Sequence, residues 1–237
     1  MGLQHRDSWD NLKATVLSYR YKKLRRILML GLNDSLKRTT ILCAADKLQL
    51  GNKLLYPHLG DAAVSELLGT TTTVSDTNTA TTFLNTGNLV LGNGAGDTLT
   101  FAGGLTATAP AAISAAGTVN TTNKLMSLGD SDTALTLTAN LTLDTTGGNA
   151  SAGGSLTLGG VVNGTTANTE SLTLNAGSTG AISVVGSVGQ STSLKTLTLT
   201  HSNGAVFNAP VTTGTSVVLT DTTDGQTIRF ADNLSTP

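Results

Sequence analysis

The sequence predicts a mainly β solenoid preceded by a short N-terminal α-helical segment, and three observations lead there. First, short apolar-alternating runs recur between turn signals from Leu172 to Phe230: Leu172-Thr-Leu174, Ile182-Ser-Val184, Leu197-Thr-Leu199, Val206-Phe207, Val217-Val218-Leu219 and Ile228-Arg-Phe230. Second, matching runs lie 20 to 25 residues apart, from Leu172 to Leu197, Ile182 to Val206, Val206 to Ile228 and Leu197 to Val217. That period belongs to solenoids, whose repeats bury their apolar faces only by stacking on neighbours. Third, aromatic residues make up 3% of the chain and charged residues 12%. Leu, Val and Ile at alternating positions then fill a narrow core, and a broad globular one lacks its usual aromatic payload. An apolar fraction of 38% and the regular Leu-x-Leu pattern argue against disorder.

The formal net charge of −1 conceals two unlike parts. Residues 1–66 hold eleven Lys and Arg against six acids, and residues 67–237 hold three against nine. The larger part is therefore disfavoured as a nucleic-acid binder, since a polyanion needs clustered cations. Cys43 is the only cysteine, so no disulfide forms within the chain and the repeat is expected to hold itself together by stacking. No apolar run approaches the roughly 20 residues of a membrane-spanning helix. The nearest, Ile27 to Leu32, follows Lys22, Lys23, Arg25 and Arg26 but stops at Asn33-Asp34, too short for a signal peptide.

In chain order, residues 1–66 are expected to form a basic helical segment. Ser8 caps a helix expected over about 8–30, with Trp9, Leu12, Val16, Leu17, Leu24, Ile27 and Leu28 at spacings of mostly three and four. A second helix is expected from Asp34-Ser35 to Gly51, and Pro57 closes the region. Tyr19-Arg-Tyr-Lys-Lys-Leu-Arg-Arg26 is the one basic cluster with interleaved aromatics; it reads as a solvated helix face, with nucleic acid or an anionic membrane as the alternative partner. Residues 67–86 are a Thr-rich linker or a degenerate first rung. Residues 87–237 are the repeat: Leu89-Val-Leu91, Leu99-Thr-Phe101, Leu135-Thr-Leu137, Leu141-Thr-Leu143 and Leu156-Thr-Leu158 lead into the runs above, about six rungs in all. Alternation turns the leucines inward and Thr136, Thr142, Thr157, Thr173 and Thr198 outward. Gly92-Asn-Gly-Ala-Gly-Asp97, Gly103-Gly104, Gly147-Gly148 and Gly153-Gly154 supply the corners as positive-φ positions. The chain stops at Pro237 just after a strand, as a fragment of a longer solenoid would.

Chemistry-bearing constellations are sparse, and no catalytic, cofactor-binding or metal residues are assigned. Gly92 to Asp97 opens no helix, so a dinucleotide fingerprint fails its context test. With Thr98-Leu99-Thr100 it partly fits a calcium nonapeptide, Asn93 and Ala95 standing where glycines belong. His5, His58, His201 and Cys43 lack zinc-ligand spacing. Asp130 with Asp132, and Asp221 with Asp224, are the close acidic pairs of the repeat; a turn through Leu128 to Asp132 explains the first without catalysis, and neither sits in a visible cluster suited to glycan cleavage. Outward Thr on a β-helix face suits ice binding, but the Thr positions here are irregularly spaced.

From Ile182 to Thr200, through Val184-Val-Gly186, Val188-Gly189 and Leu194-Lys-Thr-Leu-Thr-Leu-Thr200, and on through Gly204-Ala-Val-Phe-Asn-Ala-Pro-Val-Thr-Thr-Gly214, the sequence resembles bacterial β-strand-repeat adhesins. These are the passenger regions of autotransporters and filamentous-haemagglutinin-like proteins, and the resemblance covers about 87–237. It implies a right-handed parallel β-helix, secreted or on the bacterial cell surface. The implied work is non-enzymatic adhesion to a host-cell surface, glycan or matrix, or a structural stalk, with no cofactor. Membrane association would come only through an outer-membrane barrel, and this chain shows neither a barrel nor a signal peptide. Two other functions stand beside it: a carbohydrate-active β-helix enzyme, and a protein whose basic N-terminal helices bind nucleic acid or membrane.

Overall fold

The computed structural model describes residues 40–43, 48–49, 64–68, 70–148 and 152–237. Among these every regular element is a β-strand, and the strands stack in parallel as a β-solenoid of about seven turns. The turns lay strand, or at Val188 an isolated bridge, on three faces. In the strand Ala134–Asp144, residues 134–137 lie on the first face and residues 141–144, after a break in register, on the second; Leu156–Leu158 follows on the third. The first two faces belong to one 13-stranded sheet, and the third is a separate 7-stranded sheet.

Period-two alternation makes each face self-consistent, because a strand that buries one residue must bury its second neighbour. On the third face Leu105, Met126, Leu156, Ile182 and Ala205 stack in one inward column, and Ala107, Leu128, Leu158, Val184 and Phe207 in the next. The second face contributes Leu99, Val119, Leu143, Leu174 and Leu199. Leu89, Ile113, Leu135, Val162, Val188 and Val211 come from the first. None of these residues is more than 4% exposed. Burial of each Leu or Val is worth about 1.5–3 kcal/mol relative to exposure, so the columns form the one continuous core that a stack of narrow rungs needs.

Three sequence expectations are corrected. The helix expected over 34–51 is replaced, where that stretch is described, by the strands Thr40–Cys43 and Leu48–Gln49. Thr40 and Ile41 are β-branched, and Val64–Leu67 offers them a parallel edge. The helix expected over 8–30, with its basic cluster, lies outside the described residues. Next, Ile182 stacks on Ala205 rather than on Val206. Burying Phe207 requires burying Ala205 two residues before it, which turns Val206 outward. Finally, the corner glycines divide into two kinds. Gly92, Gly104, Gly147 and Gly148 have positive φ. Gly94, Gly96, Gly103, Gly153 and Gly154 do not; at Gly153 and Gly154 a Cβ would collide with the backbone of Ala176 and of Lys124 on neighbouring rungs.

The Thr-rich tract carries strands too. Thr71–Val74 pairs with Thr98–Phe101, and Thr81–Thr82 with Leu105–Ala107. Beside Val74, its inward strand positions are Thr72 and Thr81, both 1% exposed, in columns that higher rungs fill with leucine. Their hydroxyls have no hydrogen-bond partner among the described residues.

Candidate functional site

Fixing one set of columns inward fixes a second set outward. On the second face the register aligns Thr71, Thr98, Thr118, Thr142, Thr173 and Thr198, with Val218 next above them. All six threonines are half-buried. The interval between rungs runs from 20 residues, Thr98 to Thr118, to 31, Thr142 to Thr173. Corners absorb the difference, so the ladder is unbroken although its sequence spacing is not constant. The Thr positions are irregularly spaced along the chain, as expected, but the strand register brings them into one column.

Two residues further along each strand, or three at the bulge before His201, stands a second polar column: Thr73, Thr100, Asn120, Asp144, Asn175 and His201. The third face carries a shorter hydroxyl ladder of Thr82, Thr106, Ser127, Thr157 and Ser183, which passes into Val206 and Arg229. The first face is mixed, with Glu66, Val90, Ser114, Thr136 and Asn163 in line. Of the five threonines read as outward, Thr142, Thr173 and Thr198 share one ladder, while Thr136 and Thr157 stand on the other two faces.

The acidic residues singled out in the sequence are separate from one another. Asp97 is 6% exposed, and its Oδ2 accepts the N–H groups of Asn93 at 2.8 Å and Gly94 at 2.9 Å. That carboxylate closes its own turn, the one that partly fits the calcium nonapeptide. Asp130 is exposed, and its Oδ1 lies 3.1 Å from the Asp132 N–H and 2.9 Å from Thr133 Oγ1. The Thr133 hydroxyl, followed by the Asp132 N–H, holds the Asp130 carboxyl below its ordinary value of 3.8. Thr133 Oγ1 also lies 2.8 Å from the Pro110 carbonyl, so its one proton serves either acceptor. Asp132 points to solvent beside it, with Ser131 Oγ at 3.3 Å from its Oδ1. Asp221 lies 3.6 Å from His201 Nε2, while Asp224 is exposed in the following turn. His5 and His58 lie outside the described residues, as does the Cys43 side chain. Among the described residues no three His, Cys, Asp or Glu side chains gather into a group able to hold a metal ion.

Sequence reading missed two buried carboxylates. Asp144 Oδ1 accepts the Thr146 N–H at 2.7 Å and the Thr146 hydroxyl at 2.6 Å, and its Oδ2 accepts the Gly148 N–H at 3.3 Å. Glu170, 5% exposed, accepts the Thr166 N–H at 3.2 Å. The signal for the first was present: Asp-Thr-Thr-Gly-Gly directly after Leu-Thr-Leu is a side-chain-closed turn. Both are turn fasteners, like Asp97.

The fold and its outward columns define a class, the parallel β-solenoid with hydroxyl-lined faces. In comparisons with known proteins no family model matches the chain, and no curated protein or solved structure matches it.

Proposed function

We propose that this chain is a non-enzymatic attachment or stalk module of a surface or secreted protein, one that meets its partner along its length. The observation that carries the reading is the distribution of polar groups. Hydroxyl and amide side chains repeat on every turn, while Asp97, Asp130, Asp144 and Glu170 are each engaged within their own turns. General acid–base chemistry needs two such groups positioned together. Contacts spread along a rigid ridge instead give weak binding per turn and high avidity when many copies are displayed, by roughly 10² or more. The extended stack also suits a spacer, because each rung contacts only its neighbours and length is added without redesigning the core.

The test is to display the full chain on beads and measure attachment to cells, matrix and glycan-coated surfaces. Asp97→Asn, Asp130→Asn, Asp132→Asn, Asp221→Asn and Asp224→Asn are each expected to leave attachment intact. Deleting residues 182–204, one whole rung that keeps Ala205 in the phase of Ile182, is expected to weaken it in part. Abolition by any one Asp→Asn change would replace the distributed reading with a local site.

A further inference from the structure

We propose that the second face is an ice-binding surface, with the threonine ladder as its adsorbing row. The inference goes beyond the attachment reading and stands without it. Six threonines sit in register from Thr71 to Thr198, and no charged side chain interrupts their column. Strand spacing sets neighbouring hydroxyls about 4.7–4.9 Å apart across rungs, and the second column lies about 6.4–6.8 Å away along each strand. A β-branched side chain is stiff at χ1, so the array is held rigid before anything binds. The second column is neutral at Thr73, Thr100, Asn120 and Asn175; the Asp144 carboxylate is turned onto Thr146 and Gly148, and His201, beside Asp221, closes the column at its upper end. Each hydroxyl both donates and accepts, as water does, and each carries a methyl group beside it.

The chemistry of the face narrows the occupant. Lipid surfaces and polyanions are recognised by cations and exposed apolar groups, and the ladder has neither. Sugar chains are held by aromatic rings laid against them, but residues 67–237 contain no Trp or Tyr. Phe83, Phe101 and Phe207 are buried and Phe230 is packed on the core. What remains is a partner made of neutral hydrogen-bonding groups on a rigid two-dimensional lattice. A surface of ice is that partner, since an ordered array of donors and acceptors meets water already immobilised and need not order it.

The experiment grows ice slowly in a solution of the fluorescently labelled full chain and measures the fraction taken into the solid. Thr142→Tyr and Thr118→Tyr place a bulky ring in mid-ladder; Thr157→Tyr places the same ring on the third face. Circular-dichroism melts check that each variant keeps the fold, and Thr142→Lys, which puts a long charged side chain at the same outward strand position, serves if Thr142→Tyr unfolds. The full chain and Thr157→Tyr are expected to enter the ice, while the ladder variants fall by roughly tenfold or more, as loss of a multivalent row requires. Exclusion of the full chain at the level of a non-binding protein overturns the proposal, as does an equal loss from Thr157→Tyr. Retention on microcrystalline cellulose that Thr142→Tyr abolishes, with no uptake into ice, reassigns the face to carbohydrate. A dimer in sedimentation that Thr142→Tyr dissolves reassigns it to a second copy of the chain.

Discussion

Phe230 lies flat on Phe207, with ring centroids 4.7 Å apart and planes 9° from parallel. The pair joins two successive rungs of the third face, with Phe207 fully buried and Phe230 partly so. Phe207→Ala removes the inner ring from a packed column and is expected to cost about 3–5 kcal/mol. Phe230→Ala is expected to cost less, about 1–2 kcal/mol, because less apolar surface leaves the core. Urea unfolding followed by circular dichroism separates the two; equal losses would contradict the packing.

Facing can be tested on adjacent residues. Leu199 is 0% exposed and Thr198 stands on the outer ladder. Leu199→Asp places an unpaired carboxylate among stacked side chains and is expected to cost several kcal/mol, whereas Thr198→Asp costs on the order of 0.5 kcal/mol or less. Thermal melts of the two variants are the measurement.

The turn at Asp97 is held from within. Asp97→Ala leaves the Asn93 and Gly94 N–H groups without their acceptor and is expected to destabilise by about 1–3 kcal/mol. Since the carboxylate is already engaged by those amides, adding a calcium chelator to the unaltered chain is expected to leave its melting curve in place. A chelator-induced drop in melting temperature would show that a bound cation, not the amides alone, fastens this loop.

Asp130 predicts a pH dependence of definite sign. Its folded-state pKa is depressed below 3.8, so the stabilisation it gives is present at neutral pH. It begins to fade as the pH falls below about 4 and is gone once the pH has passed the folded-state pKa. Thr133→Val removes the first cause of the depression, and carboxyl-carbon NMR titration should show the Asp130 midpoint rising toward its ordinary value. An unmoved midpoint would mean that backbone hydrogen bonds, that of Asp132 first, hold the carboxyl down without the Thr133 hydroxyl.

The stacked core was legible wherever leucine marked it. Leu197 between Leu172 and Val217 is in the register that sequence intervals alone suggest. Legibility failed where small or polar residues took inward positions. Ala205 carried too little apolar weight to mark its column, so Val206 was misplaced by one. Thr72 and Thr81 disguised a rung as a Thr-rich tract. The ladder from Thr71 to Thr198 was hidden for a different reason: intervals along the chain count corner residues as well as strand residues, and only strand residues obey the register. Asp144 shows the same limit at the level of one turn, since its two roles, a place in an outward column and closure of a corner, require the rung above and below to be known.

Stacking in parallel also decides how the molecule bears a load. The hydrogen bonds between rungs, such as those from Leu156 to Ala181 and from Ile182 to Gly204, run from turn to turn along the stack. Tension applied to the two ends of the chain meets these bonds a few at a time, as in opening a zip, rather than all together in shear. Each released turn, such as the 23 residues from Ile182 to Ala205, lengthens to about 75–85 Å of extended chain. A tethered module of this kind yields in a series of small steps and so absorbs a pull by lengthening instead of letting go at once.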